Sequence, residues 1–185
     1  MSVYAGTTLS HELVRLQLLQ LRMNSTQIRW WLYAAVADVT GEVEELLAGC
    51  ADVEVCDIPP TQDTDNVEHG YYLDALIELA TRQDEKYICA LDPDAFPVTA
   101  DWFTVCSSYI WSGSAFVAIL CRENGDRWLS YPSFLFFARS FFTSHRPSFL
   151  PGREAMPESI AISFWERLVT EQVQTLAMPL PPSLP

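Results

Sequence analysis

The sequence predicts an α/β fold, a single-domain three-layer α/β/α sandwich with a mostly parallel central sheet. In the first half of the chain, short apolar runs typical of buried strands alternate with helical stretches, the order that builds parallel strands through helical crossovers. In the second half, an Asn-Gly pair between two strand-like runs predicts an antiparallel hairpin. With 185 residues, 49% of them hydrophobic, the chain is long enough to make one domain with a substantial core.

Three strand-helix units lead into a fourth strand in the predicted first half. The first helix carries four apolar residues at helical spacing, which make one face of an amphipathic helix: Leu13, Leu16, Leu19 and Met23. The predicted elements are, in order, a strand at 2–7, that helix at 11–24, a strand at 28–37, a helix at 42–51, a strand at 53–58, a loop at 61–70, a helix at 70–82 and a strand at 87–91.

The second half is predicted to begin with a helix, a turn and a strand at 102–121. This stretch is uncharged over twenty residues, but its serines, threonine and glycine make it too polar to cross a membrane. The hairpin joins strands at 115–121 and 127–131, and a further apolar run follows at 132–137. We expect a loop at 144–157, a last helix at 158–176 and a Pro-rich tail at 177–185.

The negative charge lies mostly in the first part of the chain. Of the net charge of −13, the residues up to Asp101 contribute 18 acids against 5 bases, whereas from Trp102 onward there are 6 of each. A nucleic-acid partner is therefore not expected.

Cysteine usage and the start of the chain favour a cytoplasmic protein without a transmembrane segment. The cysteines have no Cys-x-x-Cys spacing and lie mostly in apolar runs, which predicts reduced core residues instead of disulfides or a zinc site. The first residues lack the basic flank and apolar core of an export signal. The five cysteines are Cys50, Cys56, Cys89, Cys106 and Cys121.

Two acidic residues, Asp92 and Asp94, follow directly after the predicted strand at 87–91 and flank Pro93. Side chains two apart on an extended backbone project to the same side, and Pro93 favours extended geometry at Asp92, so the carboxylates are expected to converge. Paired carboxylates at the end of a buried strand suit a hard divalent cation that shares its shell with substrate phosphates. The alternative is that both acids only form a turn or cap a helix.

The string LDPDAFP with the following Trp102 resembles the Asp-x-Asp segment of GT-A glycosyltransferases, which move a sugar from a nucleotide-diphosphate donor to an acceptor. The resemblance implies that Asp92 and Asp94 hold Mn²⁺ or Mg²⁺ against the donor diphosphate or contact its ribose. It implies that Asp38, at the end of the second strand, contacts the nucleoside and that Thr7 lies beside the base. His69 precedes a glycine at a place where the family commonly has one.

The similarity to the GT-A fold extends from about residue 3 to residue 176. It implies one domain at 1–176, with a nucleotide-sugar-binding half at 1–101 and an acceptor half at 102–176. The acceptor is unidentified, and it is either small or bound across a homodimer.

Sugar transfer breaks a bond to phosphate, and a bound metal stabilises the negative charge that builds on the leaving diphosphate. If the reaction inverts the anomeric centre, an acid on the far face takes the proton of the acceptor hydroxyl. Among the downstream acids we choose Glu158, at the start of the predicted last helix, with Glu154 second. Helix capping is the alternative role for Glu158.

The first hypothesis is therefore a metal-dependent glycosyltransferase, similar to hexosyltransferases, that uses a nucleotide-diphosphate sugar. The second is a non-catalytic nucleotide-binding or partner protein that keeps the GT-A fold. A nucleotidyltransferase ranks third, because the sequence lacks the glycine-rich basic loop that holds a triphosphate.

Overall fold

The computed structural model describes residues 2–4, 8–37, 40–63, 65–121, 129–150 and 176–179. The elements in these ranges are β1 (Ser2–Tyr4), α1 (Thr8–Asn24), β2 (Leu32–Ala37), α2 (Gly41–Ala48), β3 (Val53–Cys56), α3 (Asp65–Thr81), β4 (Tyr87–Leu91), α4 (Trp102–Trp111), β5 (Phe116–Cys121), β6 (Leu129–Ala138), α5 (Arg139–His145) and β7 (Leu176–Pro179).

The described strands form two sheets. Strands β1, β2 and β3 are parallel in the order β1-β2-β3, and the carboxyl ends of β1 and β2 lie side by side, with Tyr4 opposite Ala37. Strand β4 does not continue this sheet but pairs antiparallel with β6, in a second sheet of order β4-β6-β5-β7. The α/β class is confirmed, whereas the fourth strand pairs differently from the expectation. Its own apolar residues could not reveal the direction of its neighbour, because parallel and antiparallel sheets both bury such residues.

The first sheet is packed on both faces. Ala34 of β2 lies in a cluster with Val14 of α1 and Val43 of α2, while the adjacent Ala35 packs with Tyr72 and Leu76 of α3. Neighbouring strand residues point to opposite faces, so α1 and α2 cover one face and α3 covers the other. The three-layer sandwich stays a prediction for the molecule as a whole.

The second sheet is packed in the same alternating way. Phe137 of β6 is buried against Leu73 and Ile77 of α3, while the adjacent Phe136 packs with Cys106 of α4. Because α3 contributes side chains to clusters on both sheets, it joins them through apolar contacts. The buried apolar residues of α3 are Tyr72, Leu73, Leu76 and Ile77.

Helix α1 buries a different face from the predicted one. Leu16, Leu19 and Met23 are exposed, at 38%, 52% and 60% of their surface. The buried residues of this helix are Val14, Gln17, Leu18 and Leu21. Leucines occur on more than one side of this helix, so their spacing alone did not select the correct face.

Strand β6 contains a bulge next to the end of β4. Ala118 of β5 pairs with Leu135, but the next residue, Ile119, pairs with Tyr131, so residues 132–134 have no counterpart on β5. Pro132 falls in this bulge, and it has no N–H to give to a sheet. Phe134 still pairs with Leu91, so β6 stays with β4 where it leaves β5.

The antiparallel pairing of β5 and β6 confirms the predicted hairpin, although its turn, residues 122–128, lies outside the described residues. Residues 151–175, which include most of the predicted last helix, also lie outside them. At the far end of the sequence, β7 pairs parallel with β5 where the tail was expected.

Free thiols are present at Cys50, Cys56, Cys89 and Cys106. Burial raises the pKa of the Cys106 thiol to about 11, which keeps it protonated at neutral pH. In the part of the chain that the structure describes, no helix has the length and apolar character needed to cross a membrane.

Candidate active site

The acidic segment begins where β4 ends. The backbone N–H of Asp92 donates to the carbonyl of Ser133 in the bulge of β6, at 3.1 Å, so β6 holds the first residue beyond the strand. The N–H of Ala95 donates back to the carbonyl of Asp92 at 3.0 Å, which closes a turn with Pro93 and Asp94 at its centre. The segment is therefore a tight turn, and the assumption that both acids lie on an extended backbone is wrong. Proline favours the second position of a turn as well as extended geometry, and here the turn is formed.

The carboxylate of Asp92 lies largely out of solvent against α3. Its Oδ1 is 3.1 Å from Nε2 of His69, and each side chain is 14% exposed. This contact is an ion pair when His69 is protonated, and it is the contact that the buried Oδ1 makes among the described residues. Asp94, by contrast, is exposed. The two acids therefore combine one sheltered carboxylate with one that is open to solvent.

Helix α1 holds the backbone of the turn. The side-chain amide of Gln17 donates from Nε2 to the carbonyl of Asp92 at 2.6 Å and to that of Ala95 at 2.7 Å. Two helical turns later on the same helix, Nδ2 of Asn24 donates to the carbonyl of Pro97 at 2.9 Å. The segment 92–97 is thus bound to α1 at both ends by side-chain donors.

The segment after α5 also contacts α3, the helix that lies beside Asp92. Gly70, next to His69, lies so close to this segment that a Cβ on it would come within 2.5 Å of the carbonyl oxygen of Phe149. One turn later, Asp74 accepts hydrogen bonds from the hydroxyl of Ser148 at 2.6 Å and from the N–H of Phe149 at 2.8 Å. These contacts fix the position of the helix that carries His69.

No protein-family profile and no curated protein sequence matches the chain. Solved structures do match it. A mannosyltransferase from Pyrobaculum calidifontis, in complex with GDP-Man and Mn²⁺, has a TM-score of 0.62 at 9% identity, over 97% of this chain and 53% of that one. A putative nucleotide-diphospho-sugar transferase from Desulfovibrio desulfuricans has a TM-score of 0.59 at 10% identity, over 97% of this chain and 77% of that one. The fold is of the GT-A type.

A third solved structure has a TM-score of 0.55 at 12% identity and covers 97% of this chain and 87% of that one. It is a CMP:2-keto-3-deoxy-manno-octonic acid synthetase complexed with CTP. The chain spans about half the length of the mannosyltransferase and more of the other two. The likeness confirms the GT-A fold that the sequence resemblance predicts.

Within this GT-A fold, Asp92 and Asp94 are the predicted site residues that the structure describes, and Thr7, Asp38 and Glu158 lie outside the described residues. The strands that precede Thr7 and Asp38 end side by side at one sheet edge. Among the described residues, no group of three or more His, Cys, Asp or Glu side chains forms a metal site. Metal binding here therefore stays a prediction.

Sequence reasoning missed three residues that shape the turn: Gln17, Asn24 and Ser133. Gln17 lies three residues after Val14 and four before Leu21, both apolar and buried, but the sequence did not show which face of α1 is buried. A polar residue in such a stripe indicates a specific hydrogen-bonding partner. Ser133 acts through its backbone carbonyl, so its side chain gave no signal.

Residues of β2 and β4 line a cavity of about 420 Å³. Its wall includes Trp30, Trp31 and Tyr33 near the amino-terminal end of β2, with Lys86 and Tyr87 at the start of β4. Neither Asp92 nor Asp94 lines it. The wall also includes Leu91, the last residue of β4, so the cavity extends along the strand to the residue before Asp92.

Proposed function

We propose that the protein is a glycosyltransferase that moves a sugar from a nucleotide-diphosphate donor with the help of Mn²⁺ or Mg²⁺. One observation carries the proposal: a GT-A fold presents Asp92 and Asp94 in a turn at the end of β4, with the Asp92 carboxylate sheltered beside His69 and the Asp94 side chain open to solvent. The mannosyltransferase that shares this fold is complexed with GDP-Man and Mn²⁺, which supports the choice of ligands.

The donor set fits the proposed metal. Mg²⁺ takes oxygen ligands, is commonly bound through one or two carboxylates plus substrate phosphates, and keeps several waters, and carboxylates also suit Mn²⁺. Asp92 and Asp94 provide two carboxylates, of which the exposed Asp94 is open to an incoming diphosphate. When bound, the metal supplies positive charge that stabilises the leaving diphosphate.

The remaining roles in the proposal belong to residues outside the described ranges. Asp38 contacts the nucleoside and Thr7 lies beside the base. Glu158 takes the proton of the acceptor hydroxyl as the new bond to the sugar forms and the bond to phosphate breaks, if the reaction inverts configuration.

The test is isothermal titration calorimetry with GDP-Man, UDP-sugars and CTP, each with and without Mn²⁺. We expect one nucleotide-diphosphate sugar to bind only with Mn²⁺. Asp94→Asn should weaken that binding by more than about tenfold, because replacing even a residue that only supports a metal ligand typically lowers metal affinity by that factor. Slow metal-dependent hydrolysis of the same donor, for which water is the acceptor, reports the reaction itself.

The matched control is Asp101→Asn, which removes the same charge at another exposed aspartate, one that makes no capping hydrogen bond at the start of α4. It should bind the donor as the wild type does. Equal loss in both variants contradicts a specific role for Asp94. Binding of CTP in preference to every sugar nucleotide contradicts the glycosyltransferase, and the absence of any Mn²⁺-dependent binding contradicts the whole proposal.

A further inference from the structure

Gln17 is a completely buried polar residue, at 0% exposure, on the apolar face of α1. Its Oε1 is buried and accepts no hydrogen bond from the described residues. A buried acceptor without a partner costs free energy, and a methionine or leucine here would avoid that cost. Packing alone therefore does not explain a glutamine at this position.

The nitrogen of the same amide group explains the glutamine. The two N–H groups of the amide match two carbonyl acceptors, those of Asp92 and Ala95, which are the first and last residues of the turn. A flipped amide would place Oε1 against both carbonyl oxygens, so the hydrogen-bond pattern fixes its orientation. Gln17 thus links the two ends of the turn that contains Asp94.

Asp94 lies between these two anchored residues. Its side chain is exposed, so the position of its carboxylate depends on the backbone of the turn. Asn24 anchors the same segment further along, at Pro97, and Trp102 donates from Nε1 to Oγ of Ser25 at 3.1 Å. Contacts with α1 and with the residue just after it therefore hold the segment on both sides of Asp94.

We propose that Gln17 is a positioning residue of the active site, which sets the geometry of the Asp92–Ala95 turn through its backbone and so places the Asp94 carboxylate for metal binding. The metal part of this inference rests on the proposed function. Gln17 itself contacts backbone carbonyls and not the metal, so its effect on metal affinity is indirect, like that of other residues that orient metal ligands.

The test replaces Gln17 by methionine, which has nearly the same length, removes both donors and leaves the buried position apolar. Its control is Val14→Ala, one turn earlier on the same buried face, in a cluster with β2 and α2. We expect Gln17→Met to weaken Mn²⁺-dependent binding of the sugar nucleotide that the wild type binds in the calorimetry panel by about tenfold. Val14→Ala should leave it unchanged at a temperature where both variants are folded.

Amide hydrogen exchange supplies a second readout that needs no ligand. The N–H of Ala95 closes the turn, so in Gln17→Met its exchange should accelerate by about tenfold or more relative to amides inside β4. In Val14→Ala, the ratio between Ala95 and β4 should stay as in the wild type. A residue that acts only through packing in the core would not change this ratio of exchange rates.

Equal behaviour of the two variants in both measurements overturns the inference, because Gln17 would then be only a core residue. If the wild-type protein binds no nucleotide with Mn²⁺, the proposed function fails, and the exchange of Ala95 alone decides whether Gln17 holds the turn. Faster exchange of Ala95 in Gln17→Met then supports the inference, and unchanged exchange overturns it.

Discussion

At the scale of single residues, the carboxyl group of Asp74 is partly buried, and its pKa differs from that of an aspartate in water. Burial raises the pKa of its carboxyl, although the hydrogen bonds from Ser148 and Phe149 act in the opposite direction. The folded protein therefore holds a proton on Asp74 at pH values where the unfolded chain has released it. Stability should fall as the pH rises from about 4, the ordinary aspartate value, through the raised pKa of the folded state, and the loss should be complete above that pKa.

Asp74→Asn should remove this pH dependence. The asparagine carbonyl still accepts from the N–H of Phe149, and its amide donates to the hydroxyl of Ser148, so the contacts are conserved in number. We expect the free energy of unfolding of the variant, measured by urea denaturation, to gain on the wild type as the pH rises from about 4 and then to level off. Asp101→Asn, at an exposed site, is the control. Parallel curves for Asp74→Asn and the wild type would contradict the burial effect.

The residues of the candidate site were predictable to different degrees. The sequence identified Asp92 and Asp94, because acids after a buried strand stand out in a short string. The contact of His69 with Asp92 and the brace from Gln17 join residues far apart in sequence, and no local pattern encodes such pairs. The turn at Pro93 was predicted as extended, since proline is compatible with both conformations.

At the scale of elements, α3 approaches the segment after α5 so closely that position 70 requires a glycine. A Cβ there would lie 2.5 Å from the carbonyl oxygen and 2.9 Å from the carbonyl carbon of Phe149, both backbone atoms that cannot rotate away. Gly70→Ala should therefore cost roughly 1–3 kcal/mol, despite the better helix propensity of alanine. Thermal and urea denaturation measure this change.

Gly41→Ala is the matched control, because Gly41 is the first residue of another helix and a Cβ there meets no atom within 4 Å. This variant should be neutral or slightly stabilising. If both alanine variants were neutral, α3 would not approach residues 149 and 150 as closely as the structure has it.

Element types were more predictable than element partners. Strand β4 was placed at its observed residues, and α4 and β5 at nearly theirs, because apolar runs bounded by Pro, Gly and Asp are strong local signals. The antiparallel pairing of β4 with β6 was not foreseen. It depends on which strand lies alongside, and β6 follows β4 only after a helix and another strand.

At the scale of the whole molecule, the two described sheets are joined by the apolar contacts of α3 and by the hydrogen bond from Gln17 of α1 to Asp92. Gln17 and Asp92 are 75 residues apart in sequence, and Ser25 and Trp102 are 77 apart. Closing such long loops costs more chain entropy than pairing neighbouring strands, and chains of this length commonly fold through intermediates.

The hydrogen bonds from Gln17 to the carbonyls of Asp92 and Ala95 should therefore form late during refolding. In pulse-labelling experiments, we expect amides of the β5–β6 pair to become protected before the amide of Ala95, and simultaneous protection would contradict this order. A refolding intermediate would then contain most of its secondary structure while both acids still lay on a mobile segment. Competence to bind a cation would arise only in the last step of folding.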